Sequence, residues 1–278
     1  MTNEAQATHW NSDAATRWIE DRERYDAMLG GFGARVLERA APTGSEAVVD
    51  IGCGTGTLTR AAARLIPGGS VLGLDVSAPM IDHARSLASA EGVTNVEFRV
   101  TDVQTGILAP FDVGVSRFGV MFFDDPVAAF ANLRASLRPS GRVVFVCWKA
   151  FADNDWMLVP GAAIASVAPP IVPSEPDAPG PFAFGDPDRI RDILARAGFV
   201  AVDVTAVDGP MLLGGPGGID DAVRFATRTS LARRLLEHAS TETVAAARDA
   251  VRTALEPHVT DSGVELSAAV WLVAAHPE

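Results

Sequence analysis

From Glu46 to Lys149, short β-branched runs alternate with segments whose apolar residues recur at helical spacing, a rhythm that predicts βαβ units and a mostly parallel sheet. Strands are predicted at AVVDIG (47–52), VLGLDV (71–76), VEFRV (96–100), FDVGVS (111–116) and RVVFVCW (142–148). Helices over 56–66, 77–91 and 125–138 separate them. Pro67-Gly68-Gly69 ends the first helix, Ser77 suits the N-cap of the second, and Pro139-Ser140-Gly141 ends the last.

Beyond Lys149 the pattern changes. Residues 160–187 are too rich in proline for a continuous helix or a central strand, so an ordered lid or loop is predicted. A helix over 186–199 follows, opened by Asp186 or Asp188 with Gly198 just past its end, and then a strand at 200–207. A second insertion, 209–262, carries a GGPGG run and helical patterns over 219–238 and 241–256; a last strand is predicted at 267–276. The residues before the core, 1–45, place Trp10, Trp18 and Tyr25 on a helical cap over the sheet's C-terminal edge. The expected organisation is one domain, 1–278, with its core at 46–149, lid insertions at 150–185 and 209–262, and the sheet completed by 186–208 and 263–278.

Composition narrows the function classes. Apolar residues make up 48% of 278 residues, yet no uninterrupted run of 18 occurs, and MTNEAQATHWNSD lacks a basic stretch leading into an apolar one. A soluble, cytoplasmic protein with no membrane partner is expected. The formal charge of −12 and the scattered 23 Lys and Arg argue against a surface that tracks nucleic-acid phosphates. Two cysteines, Cys53 and Cys147, each fall in a predicted strand or strand end, so a disulfide framework is not expected. No His/Cys spacing suggests a metal site.

The chemistry lies at Asp50-Ile51-Gly52-Cys53-Gly54-Thr55-Gly56, where a buried strand turns into a helix. Glycine permits a tight turn and a close ligand approach, and the helix N-terminus is expected to offer free N–H groups to an anion. Dinucleotide-binding domains share this device, with an acidic residue about 20 positions on, a role Asp75 fits. Asp75 ends its strand, where two carboxylate oxygens can accept both ribose hydroxyls. The dinucleotide fingerprint, however, wants glycine where Thr57 stands. Asp102 ends the third strand, where it can accept from an adenine amino group beside the Val103 N–H, or simply cap the following turn.

Taken in order over 47–149, DIGCGTGTLT, LDVSAPMIDHA, VTDV, FDVGVSRFGVMFF and LRPSGRVVFVCW resemble the motifs of class I S-adenosylmethionine (SAM)-dependent methyltransferases, the small-molecule enzymes with the DxGxGxG signature. The resemblance implies an α/β, Rossmann-like sheet of seven strands, mostly parallel with the last antiparallel, helices on both faces, and here a helical and Pro-rich lid. It implies SAM as cofactor and S-adenosyl-L-homocysteine as product. Carried onto this chain, it puts the aminoacyl end beside Gly52, Cys53, Gly54 and Gly56, with Asp50 orienting the turn or the ammonium. Asp75 would hold the ribose, Val76 and Met80 would flank the adenine, and Asp102 and Val103 would read its edge. Ser116, Arg117 and Phe118 would line the floor beneath the methionine moiety.

Acceptor residues are less determined. Trp10, Trp18, Phe118, Phe122 and Trp148 are expected near the emerging methyl group, as an aromatic wall or as ordinary core. Arg117 suits a substrate carboxylate, the cofactor or a structural ion pair. Among five dispersed histidines, His9 and His238 fall in predicted cap and lid, while His83 reads as a surface residue. No catalytic residue is assigned. The expected reaction is in-line methyl transfer to a small, partly hydrophobic metabolite, acceptor choice residing in the insertions. The rivals are a SAM-fold enzyme of different chemistry, an NAD(P)-dependent oxidoreductase and a non-catalytic binding partner. The oligomeric state stays open, a homodimer among the options.

Overall fold

The computed structural model describes residues 3–170 and 178–277; the 171–177 part of the predicted lid lies outside them. The chain enters through three helices, α1 (Glu4–Trp10), α2 (Asp13–Glu20) and α3 (Arg22–Ala40). The expected alternation follows: β1 (Ala47–Ile51), α4 (Thr57–Leu65), β2 (Ser70–Asp75), α5 (Ala78–Ala90), β3 (Val96–Val100), β4 (Phe111–Arg117), α6 (Pro126–Ser136) and β5 (Leu137–Trp148). Ser77 does cap α5, its hydroxyl accepting the Met80 N–H at 3.4 Å. Then come α7 (Asp155–Ala165), α8 (Pro187–Arg196), β6 (Phe199–Leu212), α9 (Ile219–Ala226), α10 (Ser230–Leu236), α11 (Thr241–Leu255), β7 (Val259–Thr260) and β8 (Gly263–Pro277).

The sheet runs β3-β2-β1-β4-β5-β8-β6. β1 to β5 pair in parallel, and β8 lies antiparallel between β5 and β6. This is the seven-stranded arrangement expected, with β7 added as a short hairpin on the start of β8. Strand order reverses at β1, flanked by β2 and β4, so the C-terminal end of β1 opens onto a topological switch point, where open α/β sheets bind ligands. Both faces of β5 are covered: Val143 to Cys147 are all fully buried. That explains a continuous apolar run in place of alternation. Phe130, Phe145, Phe184 and Phe199 interlock beneath it, with ring centroids 5.5–6.3 Å apart.

Two expectations are corrected in the insertions. Part of the Pro-rich stretch expected as loop is helical, since α7 carries Pro160 in its interior. An interior proline forfeits a backbone hydrogen bond. Here burial of Trp156, Met157, Pro160 and Ile164 offsets that loss, and Gly161 admits Leu231 of α10, whose Cδ2 would lie 2.9 Å from a Cβ there. The single helix expected over 219–238 is two, because Thr229 caps α10, accepting the Ala232 N–H, and the Thr227 hydroxyl donates back to the Val223 carbonyl. β6 and β8 also extend well beyond their predicted spans, 200–207 and 267–276, as one long antiparallel pair. No helix among the described residues is long and apolar enough to cross a membrane.

Candidate functional site

Between β1 and α4 the turn places Gly52, Gly54 and Gly56 at φ of 67°, 54° and 76°, the left-handed region that glycine alone enters freely. Gly52 has a second reason to be glycine: a Cβ there would stand 2.7 Å from the Cα of Gly119. The two backbones meet back to back, pressing the loop after β4 onto the turn. Ser116 binds the same seam, its hydroxyl donating to the Ile51 carbonyl at 2.6 Å and accepting the Gly119 N–H at 3.2 Å. Ser116 is fully buried, so it shapes the floor from behind. Phe118 takes φ of 64°, a conformation costing a non-glycine residue on the order of 1–3 kcal/mol. Its N–H bond to the Val146 carbonyl and its stacking on Trp148, 4.2 Å between centroids, hold it there.

The acids of the motif sit around this turn. Asp75 accepts the Gly54 N–H at 2.8 Å and the Ser77 N–H at 2.9 Å, and burial pushes its carboxyl upward against those bonds. Asp50 is fully buried: one oxygen accepts the Thr59 hydroxyl at 2.6 Å, while Oδ1 has no partner. Burial raises its pKa to about 6, opposed by the Thr59 bond and the Arg117 charge. Cys53 is buried with its thiol pushed well up, unsuited to nucleophilic work. Met80 is buried against the turn, its sulfur 3.8 Å from where a Gly54 Cβ would stand; Val76 is half-buried. Asp102 caps the turn after β3 through the Gln104 N–H at 3.0 Å, the plainer of its two readings, and buried Val103 follows it.

Three of the turn's N–H groups are engaged within the fold: Cys53, Gly54 and Gly56 donate to the Leu74 carbonyl, the Asp75 carboxylate and the Cys53 carbonyl, while the amides at the start of α4 precede its first intrahelical bond, from Arg60 to the Gly56 carbonyl. The tight turn that brings the glycines together thus consumes the donors of Gly54 and Gly56.

The cleft beside the turn is lined by Trp18, Asp50, Leu58, Arg117 and the turn from Gly52 to Thr55. Arg117 is engaged in an ion pair, 2.8 Å from Asp26 of α3, while still facing the cleft. The five aromatic residues expected as one wall divide in two. Trp10 stands edge-on to Trp18 and Phe122, and Trp18 stacks on Tyr25 at 3.9 Å. Phe118 and Trp148 instead pack inward with Phe32 and Trp156. His9 and His238 are exposed; burial and the charges of Arg17 and Arg233 lower the pKa of His9. His83 is not a plain surface residue, because its Nε2 is shielded and unpartnered. Among the described residues no three His, Cys, Asp or Glu converge as metal ligands.

The cap supplies contacts that no motif announced. Asn11 donates to the Val76 carbonyl at 2.9 Å and accepts the Ala78 N–H at 3.0 Å. Buried Asn3 reaches Asp102 at 3.5 Å and accepts the Asp124 N–H. Asp26 joins Arg117 to the Thr57 hydroxyl, 2.9 Å away. None of these polar residues stands in a recognisable spacing; their partners lie 31 to 121 positions away.

Residues 48–141 match the family model described as "Methyltransferase domain". A nocamycin O-methyltransferase of Saccharothrix syringae is 32% identical over 60% of this chain and 64% of its own length. An aklanonic acid methyltransferase of a Streptomyces species is 36% identical over 41% of this chain and 53% of its own. The chain thus spans between half and two thirds of these two curated relatives. The solved YcgJ protein of Bacillus subtilis superposes with a TM-score of 0.59 at 18% identity, covering 90% of this chain and 99% of that one, and so shares the fold.

Proposed function

We propose, for a chain whose core is a methyltransferase domain of the class I SAM-dependent family, that it transfers a methyl group from SAM to a small, partly hydrophobic metabolite by in-line displacement. The observation that carries this reading is the cleft at the end of β1, where a fully buried carboxylate oxygen, Asp50 Oδ1, has no partner beside a turn stripped of side chains. A buried unpaired carboxylate is costly, and a ligand bearing positive charge relieves it. SAM supplies an activated methyl group on a sulfonium and releases S-adenosyl-L-homocysteine.

The residues present fit that cofactor. Asp75 keeps lone pairs for ribose hydroxyls beyond its two N–H bonds. Val76 and Met80 would flank the adenine, and Asp102 and Val103 would meet its edge. Gly52, Cys53, Gly54 and Gly56 would run along the aminoacyl end, with Ser116 behind them. Trp10, Trp18 and Phe122 would face the acceptor, with Phe118 and Trp148 as rigid backing. Alignment and exclusion of water then account for the rate, so no general base is assigned. The cap and the insertions 150–185 and 209–262 would close the site as parts of one domain. Both curated relatives are named for small molecules, which supports a small-molecule acceptor. A net charge of −12 supports a protein without nucleic-acid partners.

Isothermal titration with SAM, with NADH as control, tests the reading. SAM binding that is lost in Asp75→Ala is expected, followed by methyl transfer in an acceptor screen. Binding of NADH instead, or of neither ligand, rejects it.

A further inference from the structure

The glycine turn has spent the Cys53, Gly54 and Gly56 donors inside the fold, and any amino-acid ligand entering the cleft brings a carboxylate that needs others. A positive group does reach it. Arg117, at the end of β4, lines the cleft with its side chain only 11% exposed. Of its five guanidinium donors, one bonds Asp26, whose other oxygen accepts the Thr57 hydroxyl. The stem is fitted as closely as the head: a Cβ on Gly33 would stand 3.2 Å from Arg117 Cδ. Asp26 and Gly33 both lie on α3, two turns apart, so one helix face fixes both ends of the arginine.

A second donor faces the same space. Trp18 Nε1 lies 3.9 Å from where a Gly54 Cβ would be, and it has no hydrogen-bond partner among the described residues. Trp156 and Trp271, by contrast, donate to Asn154 Oδ1 and the Gly185 carbonyl. Guanidinium and indole only donate, and a carboxylate only accepts. Asp50, with its unpartnered oxygen on the same cleft, offers the opposite charge for an ammonium group.

Building on the SAM reading above, we infer that Arg117 and Trp18 bind the carboxylate of the methionine moiety and that Asp26 is the positioning residue that holds Arg117 for it. Cofactor recognition then extends beyond the matched domain, residues 48–141, into α2 and α3 of the cap.

Titration of the full chain with SAM and with decarboxylated SAM, which keeps the sulfonium, amine, ribose and adenine, tests this. The wild type is expected to bind SAM about tenfold more tightly, as hydrogen bonds to a charged group imply. Asp26→Asn and Trp18→Phe should remove most of that preference while leaving the decarboxylated ligand within about twofold, and Asp26→Glu should restore part of it. Equal affinity of the wild type for both ligands overturns the carboxylate assignment and leaves the SAM reading standing. Equal losses for both ligands in Asp26→Asn reduce Asp26 to a structural role and overturn its assignment. Binding of neither ligand by the wild type removes the SAM reading and this inference together.

Discussion

Asp50 is a single residue on which stability and ligand binding oppose each other. Burial raises its folded pKa from 3.8 to about 6, so between those values the folded state holds a proton that the unfolded chain has released. Its contribution to stability is therefore largest below pH 4, falls as pH rises to 6, and is flat above. A shift of that size corresponds to about 3 kcal/mol. Asp50→Asn, nearly the same shape but never charged, should raise urea-unfolding stability at pH 8 by about 1–3 kcal/mol and make it flat between pH 4 and 6 from this group. SAM affinity, which should rise between pH 5 and 7 in the wild type, should be weak and independent of pH there in the variant. A variant less stable than the wild type at pH 8 would show that the ionised carboxylate has a partner after all. At this scale Asp50, Asp75 and the three glycines were readable from spacing because a strand, a turn and a helix start require those residue types close together in the chain. The spent N–H groups were not readable, since the donors go to Leu74 and Asp75, which only the fold brings beside the turn.

At the scale of elements, the turn after β1 and the loop after β4 act as one unit, joined by the contact between Gly52 and Gly119 and by the Ser116 hydroxyl. Two glycines with similar φ separate backbone strain from packing. Gly44, at φ of 54°, has open space where its Cβ would be, whereas Gly52, at 67°, would drive a Cβ into backbone. Gly44→Ala should cost only the left-handed penalty, about 1–2 kcal/mol, lowering Tm by a few degrees. Gly52→Ala adds displacement of the β4 loop, another 1–3 kcal/mol or so, and should abolish SAM binding that Gly44→Ala preserves. Equal melting temperatures for the two variants would show that the seam yields easily. Strand and helix identities within 46–149 were legible because burial on both faces and amphipathic spacing are local patterns. α7 was not, because Pro160 argues against a helix that packing with α10 and α11 sustains.

Across the whole molecule, charged pairs tie α2 and the start of α3 to the second insertion. Arg24 pairs with Asp221 at 2.9 Å and donates to the Gly214 carbonyl; Arg228 reaches Glu20 at 3.1 Å and Asp21 at 3.4 Å. These groups are partly exposed, so each pair is worth roughly 0–1 kcal/mol and is screened by salt. Tyr25 against Phe225, 5.2 Å between centroids, and buried Met28, whose sulfur accepts the Gly214 N–H at 3.1 Å, add apolar contacts. Such pairings were invisible in the sequence: Arg24 and Asp221 are 197 positions apart, and one arginine among many carries no signal of its partner. The sheet, and with it the later turns of α3 through Phe32, Val36 and Leu37, is held by a continuous buried core and lacks this dependence. Opening of α1, α2 and the first turns of α3, which carry few buried residues, should therefore cost far less than unfolding, and hydrogen exchange should detect it. Raising salt from about 0.05 to 0.5 M shortens the Debye length from roughly 14 to 4 Å, and exchange over residues 13–30 should quicken several-fold while β1, β4 and β5 stay protected. Arg24→Gln with Arg228→Gln should produce the same acceleration at low salt and add little at high salt. If Trp18 and Asp26 help hold the cofactor, SAM should reverse it in both. Exchange in the cap that ignores salt, the double variant and SAM alike would mean that apolar packing fixes the cap, and that the site is entered some other way.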